Sequence, residues 1–455
     1  MNKTYRIIWN KVRNCLMVVG EHAKSCGKGP SAKRSLANAV TAALFALAGQ
    51  TASAAPPSDL TISSAETTTQ TVPRGFGLIV DSSGSVIVDS SSAVVVANST
   101  SVTFVSNSGT ISGDVGIVAV QSTLTGGITN TGTISGKTGI YLKSGSSLSG
   151  GITNVGLIQG TSIAGIYLNA SALDSGIDNS GTISGGQYAI YVNSGSTLAG
   201  GITNSGSISG SAGGGVYLLN STLSGGINNT GSISGGVVGI AVSQSTLTGG
   251  INNTGSISGG TYGIAAVQSS LTAGIDNSGS ISSKTGIFLR GSSLSGGLTN
   301  AGLIQSTRFA GIYLNVSALD GGIGNSGSIS GGGGGIAVSQ STLTGGINNS
   351  GSISGGTYGI AAVQSSLTGG INNSGSISGG GGGIGAAQST LSGGITNTGS
   401  ISGGTHGIYA AQSSLTGGIN NTGSISGKTG IYLKSGLSLS GGITNAGLIA
   451  GTSVA

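Results

Sequence analysis

The sequence has two cysteines, Cys15 and Cys26, and none after them. No disulfide framework can brace the rest of the chain, which has to be held by packing and hydrogen bonds. Proline is nearly as scarce: Pro30, Pro56, Pro57 and Pro73 are all there is, so nothing after residue 73 removes a backbone donor from a strand ladder. After His22 the one histidine is His406, too few for a metal site or a Ser/His/Asp triad. The ten acids are scattered; Asp174 and Asp178 come nearest to a pair and read as two solvated turn residues. Two phrases, "GTISGKT" (132–138) and "GSISGKT" (423–429), approach a phosphate-binding loop. They carry three residues instead of four between the first Gly and the Gly-Lys-Thr. Neither an enzyme nor a bound cofactor or metal is expected.

Charge is low at 6% of residues, and the net +6 is unevenly placed. Eight of the sixteen Lys and Arg lie in the first 34 residues beside one acid, Glu21, which leaves eight bases against nine acids for the rest. The basicity belongs to the N-terminus, so nucleic acid is not an expected partner. There a basic stretch is followed by the apolar run "LANAVTAALFALAG" (36–49) and by "ASA" (52–54). This is the pattern of a secretory signal peptide with a small-residue cleavage site, expected between Ala54 and Ala55. The run falls short of the ~20 residues a membrane-crossing helix needs, so residues 1–54 are expected to be removed, with no membrane span left in the mature chain.

What the sequence has in excess is glycine, 93 of 455 residues, with a positive mean hydropathy. Low charge with abundant Ile, Leu and Val argues against disorder. An Asn-x-Gly triplet recurs from Asn107 to Asn445 at intervals of 23 to 25 residues, a period that marks a solenoid. Within one unit Ile134, Ile140, Leu142, Leu148 and Ile152 sit in short phrases bounded by Gly, Ser or Asn. No helical i, i+3, i+4 pattern is sustained, whereas Ile140 and Leu142 alternate as in a strand. The expectation is an all-β, right-handed parallel β-helix of about 24 residues per coil, with about three short strands in each. Residues 107–455 would form fourteen complete coils and one partial coil, and residues 55–106 an N-terminal β cap over the first open edge. Stacked asparagines, each both donor and acceptor, are expected to bond along the rod. Glycines, including the Gly of each triplet, are assigned to turns with φ > 0 and to tight corners. A longer period lies above the coil: "KTGIYLKSGSSLSGGITNVGLIQ" from Lys137 returns at Lys284 and begins again at Lys428, so the array reads as duplicated six-coil blocks.

Alternation also sorts the surface. With Ile140 and Leu142 inward, Tyr141 and Lys143 point outward. Equivalent positions hold Tyr167, Tyr191 and Tyr217, then Phe288 with Tyr313, then Tyr409 with Tyr432, and Arg290 and Lys434 repeat Lys143. These residues are expected either to stack on one another as part of the scaffold or to form shallow patches for a glycan or a protein.

The first residues, "MNKTYRIIWN", fit the pattern M-N-K-x-Y-R-x-I-W-N through Met1, Asn2, Lys3, Tyr5, Arg6, Ile8, Trp9 and Asn10. "VVGEHAKSCGK" (18–28) continues it with Cys26 as a departure. Together they resemble the extended signal peptide region of Gram-negative type V secreted proteins, and with the Asn-x-Gly-x-Ile array the chain resembles an autotransporter adhesin passenger. That resemblance implies export by the Sec machinery and passage through the outer membrane. It also implies attachment or autoaggregation through glycans, proteins or self-association on the cell surface. It further implies a C-terminal membrane barrel, of which nothing is seen by Ala455. The passenger is therefore expected to be incomplete here, and periplasmic if no barrel follows. A passive stalk or a non-functional remnant is the alternative.

Overall fold

A computed structural model describes residues 5–10, 15–20, 58–97 and 101–453, and the chain divides into two units, Met1–Pro57 and Ser58–Ala455. In the first, strands Tyr5–Asn10 and Cys15–Gly20 pair antiparallel, with Tyr5 opposite Gly20. The apolar run and the expected cleavage point at Ala54 and Ala55 lie outside the described residues.

The second unit is a parallel β-solenoid of about sixteen turns. Thirteen of the turns carry four strands, not three. In one coil they are Ile128–Asn130, Thr133–Gly136, Thr138–Lys143 and Ser147–Leu148; we call their faces the Asn face, the Ser-Ile face, the long face and the Ser-Leu face. The fourth strand escapes a periodicity reading because two residues are too few to alternate. Every strand pairs in parallel with its counterpart one coil on, as Ile128 with Ile152 and Ile140 with Ile166. The ladders of the four faces hold 17, 17, 16 and 13 strands, and on the Asn face the ladder is open at both ends, Leu60–Ile62 pairing on one side alone and Ile443–Asn445 likewise. At about 4.8 Å per coil the unit is a rod of roughly 75 Å.

The ladder begins at Leu60, two turns before the first Asn-x-Gly triplet, because Leu60 pairs with Leu78 and Leu78 with Val105. Inside the rod Ile128, Ile134, Ile140, Leu142 and Leu148 are buried, and their equivalents repeat this in the following coils. One coil cannot bury these side chains by itself; each closes the core of its neighbours.

Two kinds of glycine shape the corners. The Gly immediately before each Asn-face strand from Ile128 onward has φ between 64° and 97°, as at Gly250 and Gly274, where a side chain would be strained. The triplet glycine is different from the sequence expectation. Gly255 lacks a positive φ, and a Cβ on it would lie 2.1 Å from the Gly231 carbonyl oxygen of the preceding coil. It is glycine because two backbones pass in contact there.

The asparagine ladder is continuous. From Asn107 to Asn445 each Nδ2 donates to the Oδ1 of the asparagine one coil on, at 2.7–2.8 Å. Asn253 Nδ2 lies near two carbonyls as well, Gly255 at 3.3 Å and Ser280 at 3.2 Å. The amides therefore all point the same way, and the row starts where Val80 faces Asn107, leaving Asn107 Oδ1 buried without a partner among the described residues. A second polar row, not anticipated from the sequence, lines the corner after the long face. There the backbone N–H of one serine donates to the Oγ of the next, as from Ser341 to Ser365 at 3.2 Å and from Ser365 to Ser389 at 3.1 Å. The residue before each such serine is left-handed, often a glutamine, as at Gln340 and Gln364.

Candidate contact surface

On the long face the strand Thr138–Lys143 buries Ile140 and Leu142 and leaves Tyr141 and Lys143 half-exposed. Ladder register aligns Tyr141, Tyr167, Tyr191 and Tyr217 on four successive coils. Their spacing is the strand spacing, so the rings stack: Tyr141 and Tyr167 are 4.7 Å apart and 3° from parallel, and Tyr167 and Tyr191 4.8 Å apart. Farther along, Phe288 meets Tyr313 at 5.6 Å and Tyr409 meets Tyr432 at 5.9 Å.

These three groups are separated in their column by small residues: Ala241 and Ala265, then Ala337, Ala361 and Gly385. A second column fills the gaps. Tyr262 stacks on Phe288 at 4.9 Å and covers Ala241 and Ala265. Tyr358 lies where a Cβ on Gly385 would be 2.7 Å from its ring. Tyr188 packs on Tyr191 and Tyr217, and the His406 ring lies 5.6 Å from Tyr409 and 4.9 Å from Tyr432. Strict alternation would place Tyr188 inward with Ile190. It does not, because Ala189 between them is buried and skipped by the ladder, so the strand turns its outward side at both 188 and 191. The available signal is the recurring Gly or Ala two residues before each of the first-column rings.

The cations stay apart. Lys143 Nζ lies 5.5 Å from the Tyr141 ring centre, while Arg290 and Lys434 sit six and twelve coils away. The described residues hold one ion pair, Lys137 with Asp114 at 3.0 Å, on the surface where such pairs contribute little. Among them there is also no group of three or more His, Cys, Asp or Glu placed to hold a metal, and no helix long and apolar enough to cross a membrane.

Close packing of rings changes the phenols. Burial and then the neighbouring tyrosines push Tyr191 up to about 12, and burial raises Tyr167, Tyr188 and Tyr358 as well. The folded state thus favours the neutral phenol. Its contribution is complete below the ordinary value near 10 and is lost as pH rises from there through about 12. Tyr191→Phe is accordingly expected to raise the pH midpoint of alkaline unfolding, followed by circular dichroism beside phenolate absorbance. An unchanged midpoint would show that Tyr191 titrates as in the unfolded chain.

Residues 1–50 match the family described as Extended Signal Peptide of Type V secretion system. No curated protein and no solved structure matches the chain. The matched residues include the basic stretch and the aromatic "YRIIWN" strand, and they mark the chain for type V export. The chain thus joins the extended signal peptide of a type V secretion system, over residues 1–50, to a passenger-like parallel β-solenoid.

Proposed function

We propose that the rod is an autotransporter passenger that attaches cells to a surface or to one another, displayed at the outer membrane. The observation that carries this reading is the aromatic double column on the long face of an exported rod. Rings from Tyr141 to Tyr217, from Tyr262 to Tyr313 and from Tyr358 to Tyr432 form three partly exposed aromatic patches along the axis, in which stacked, tilted and edge-on pairs occur. Aromatic surface with a cation beside it, as at Tyr141 and Lys143, suits the apolar face of a sugar ring or a protein side chain. Repetition gives avidity to contacts that are weak one by one. Residues 55–106, less regular than the array, would serve as its N-terminal cap.

The decisive variant changes Tyr141, Tyr167, Tyr191 and Tyr217 together to Ser. At equal surface display, cell attachment or aggregation is expected to fall at least severalfold; no change sinks the aromatic reading. One observation favours a passive stalk instead: Tyr141 and Tyr167, 3° from parallel, already spend a ring face on each other. The same experiment separates the two, because a stalk keeps its function whatever its outward rings are.

A further inference from the structure

The Asn face carries a second outward row, formed by the middle residue of each Ile-x-Asn strand. From Thr129 to Thr444 this position holds Thr, Asp or Asn in every coil except one, where it holds Gly324. The exception is not required by the fold. Gly324 alone among the described glycines combines an ordinary φ with no atom within 4 Å of an added Cβ. Most other glycines of the array have a left-handed φ or a close backbone or side-chain contact that accounts for the missing side chain; Gly324 has neither.

The bare Gly324 position lies in an open groove of about 540 Å³ that runs over Thr299, Gly324, Asn348, Asn372 and Thr396. Register puts Thr299 and Asn348 on either side of Gly324, two strand spacings or about 9.6 Å apart. The residues flanking the gap bond away from it: Thr299 Oγ1 donates to Asp276 Oδ1, and Asn372 Nδ2 donates to Asn348 Oδ1 at 2.9 Å. Those two bonds leave Thr299 Oγ1 as an acceptor on one side of the gap. On the other side Asn348 Nδ2 has no side chain below it in the row to receive its hydrogens. A donor and an acceptor facing a common gap are matched by hydroxyl groups, which are both. None of the residues lining the groove is charged, and the small Ala301, Ser326 and Ser350 beside the row keep it open to solvent.

We propose that this groove binds one ring of a neutral polysaccharide between Thr299 and Asn348, with following units lying along the row over Asn372. Hydroxyls would bond to the Thr299 oxygen and the Asn348 amide, and the ring would rest on the bare Gly324 backbone. An anionic glycan is disfavoured, since the nearest ionisable side chain in the row is Asp276 and no cation lines the groove. The groove lies on a different face from the aromatic columns, so failure here and failure of the adhesive reading can be told apart.

Affinity electrophoresis of the purified chain through gels containing dextran, mannan or hydroxyethylcellulose, with heparin as the anionic control, tests it. At least one neutral polymer is expected to retard the protein. Gly324→Asn refills the row with the residue that the next two coils carry at Asn348 and Asn372, so the rod still folds. It is expected to weaken that retardation at least tenfold, and Asn348→Ala at least severalfold. The variant with Tyr141, Tyr167, Tyr191 and Tyr217 changed to Ser keeps its binding. Retardation by heparin alone, by no polymer, or equally for Gly324→Asn overturns the proposal. It is equally overturned if Gly324→Asn abolishes self-association in sedimentation while leaving polysaccharide binding intact, which would assign the groove to a second copy of the chain.

Discussion

Asn277→Ala is expected to destabilise the solenoid by about 2–4 kcal/mol, far more than removal of an exposed asparagine. The wild-type side chain accepts from Asn253 at 2.7 Å and donates to Asn300 at 2.7 Å, and it is buried. Alanine breaks both bonds. Asn253 retains the carbonyls of Gly255 and Ser280 as acceptors, but Asn300 Oδ1 is left buried without a donor, which costs about 1–3 kcal/mol by itself. Position in the row is the control. Asn107 already stands at the row's start with an unpartnered Oδ1 against Val80, so Asn107→Val moves that defect one coil along to Asn130. The loss is the hydrogen bonds of Asn107 Nδ2, to Asn130 and to the Thr133 and Gly109 carbonyls, about 1–2 kcal/mol, with no additional unpartnered oxygen. Guanidinium denaturation of the purified chain checks the pair. Because each coil touches only its neighbours, the mid-rod change is also expected to split one transition into two as the rod uncouples at coil 277. Equal effects at 107 and 277 would mean that the amides act singly and not as a row.

Legibility of this molecule in its sequence follows the length of its phrases. The six-residue strands show their inward Ile140 and Leu142 directly, and the fifteen-fold Asn-x-Gly phrase places the amide row, since an interval of 23 to 25 residues leaves stacking as the arrangement that buries the repeated Ile columns. The leader is legible for another reason: its signal is a linear pattern of residues and not a packed one, and residues 1–50 match the extended signal peptide family. The number of strands per coil was not legible, because Ser147–Leu148 and its copies are two residues long. Neither was the second aromatic column. Alternation assigns Tyr188 to the core with Ile190, and only the skipped Ala189 turns it outward. The Ser122-to-Ser413 corner row is hidden similarly, since serine is abundant everywhere and the left-handed residue before it varies among Gln, Gly, Ala, Asn and Val. On the candidate surface, the sequence supplies which outward rings repeat, while their mutual stacking and the notch at Gly324 depend on register between coils.

Gly255→Ala is expected to be strongly damaging for a single added methyl, with a cost of about 3 kcal/mol or more. The added carbon would lie 2.1 Å from the Gly231 oxygen and 2.6 Å from the Thr230 carbonyl, all backbone, where carbon contacts are comfortable near 3.5–4.0 Å. Neither side can give way. The Gly231 oxygen accepts from Ser256 N at 2.8 Å, and Gly255 N donates to Asn229 O at 3.1 Å, so moving the backbones apart breaks ladder bonds on both sides of the corner. Gly324→Ala makes the comparison sharp, since it is the same chemical change with the same loss of freedom in the unfolded chain. With an ordinary φ and open space around the new carbon, it should stabilise the rod by about 0.4–1 kcal/mol. The two midpoints in guanidinium should therefore move in opposite directions, Gly255→Ala down and Gly324→Ala slightly up. The same triplet contact recurs at 2.0–2.2 Å from Gly109 to Gly447, so a fall at 255 implies that each Asn-x-Gly is a point where one coil seats on the last. A glycine that rises on substitution is one the scaffold does not need, and its missing side chain has to be explained by what the surface does.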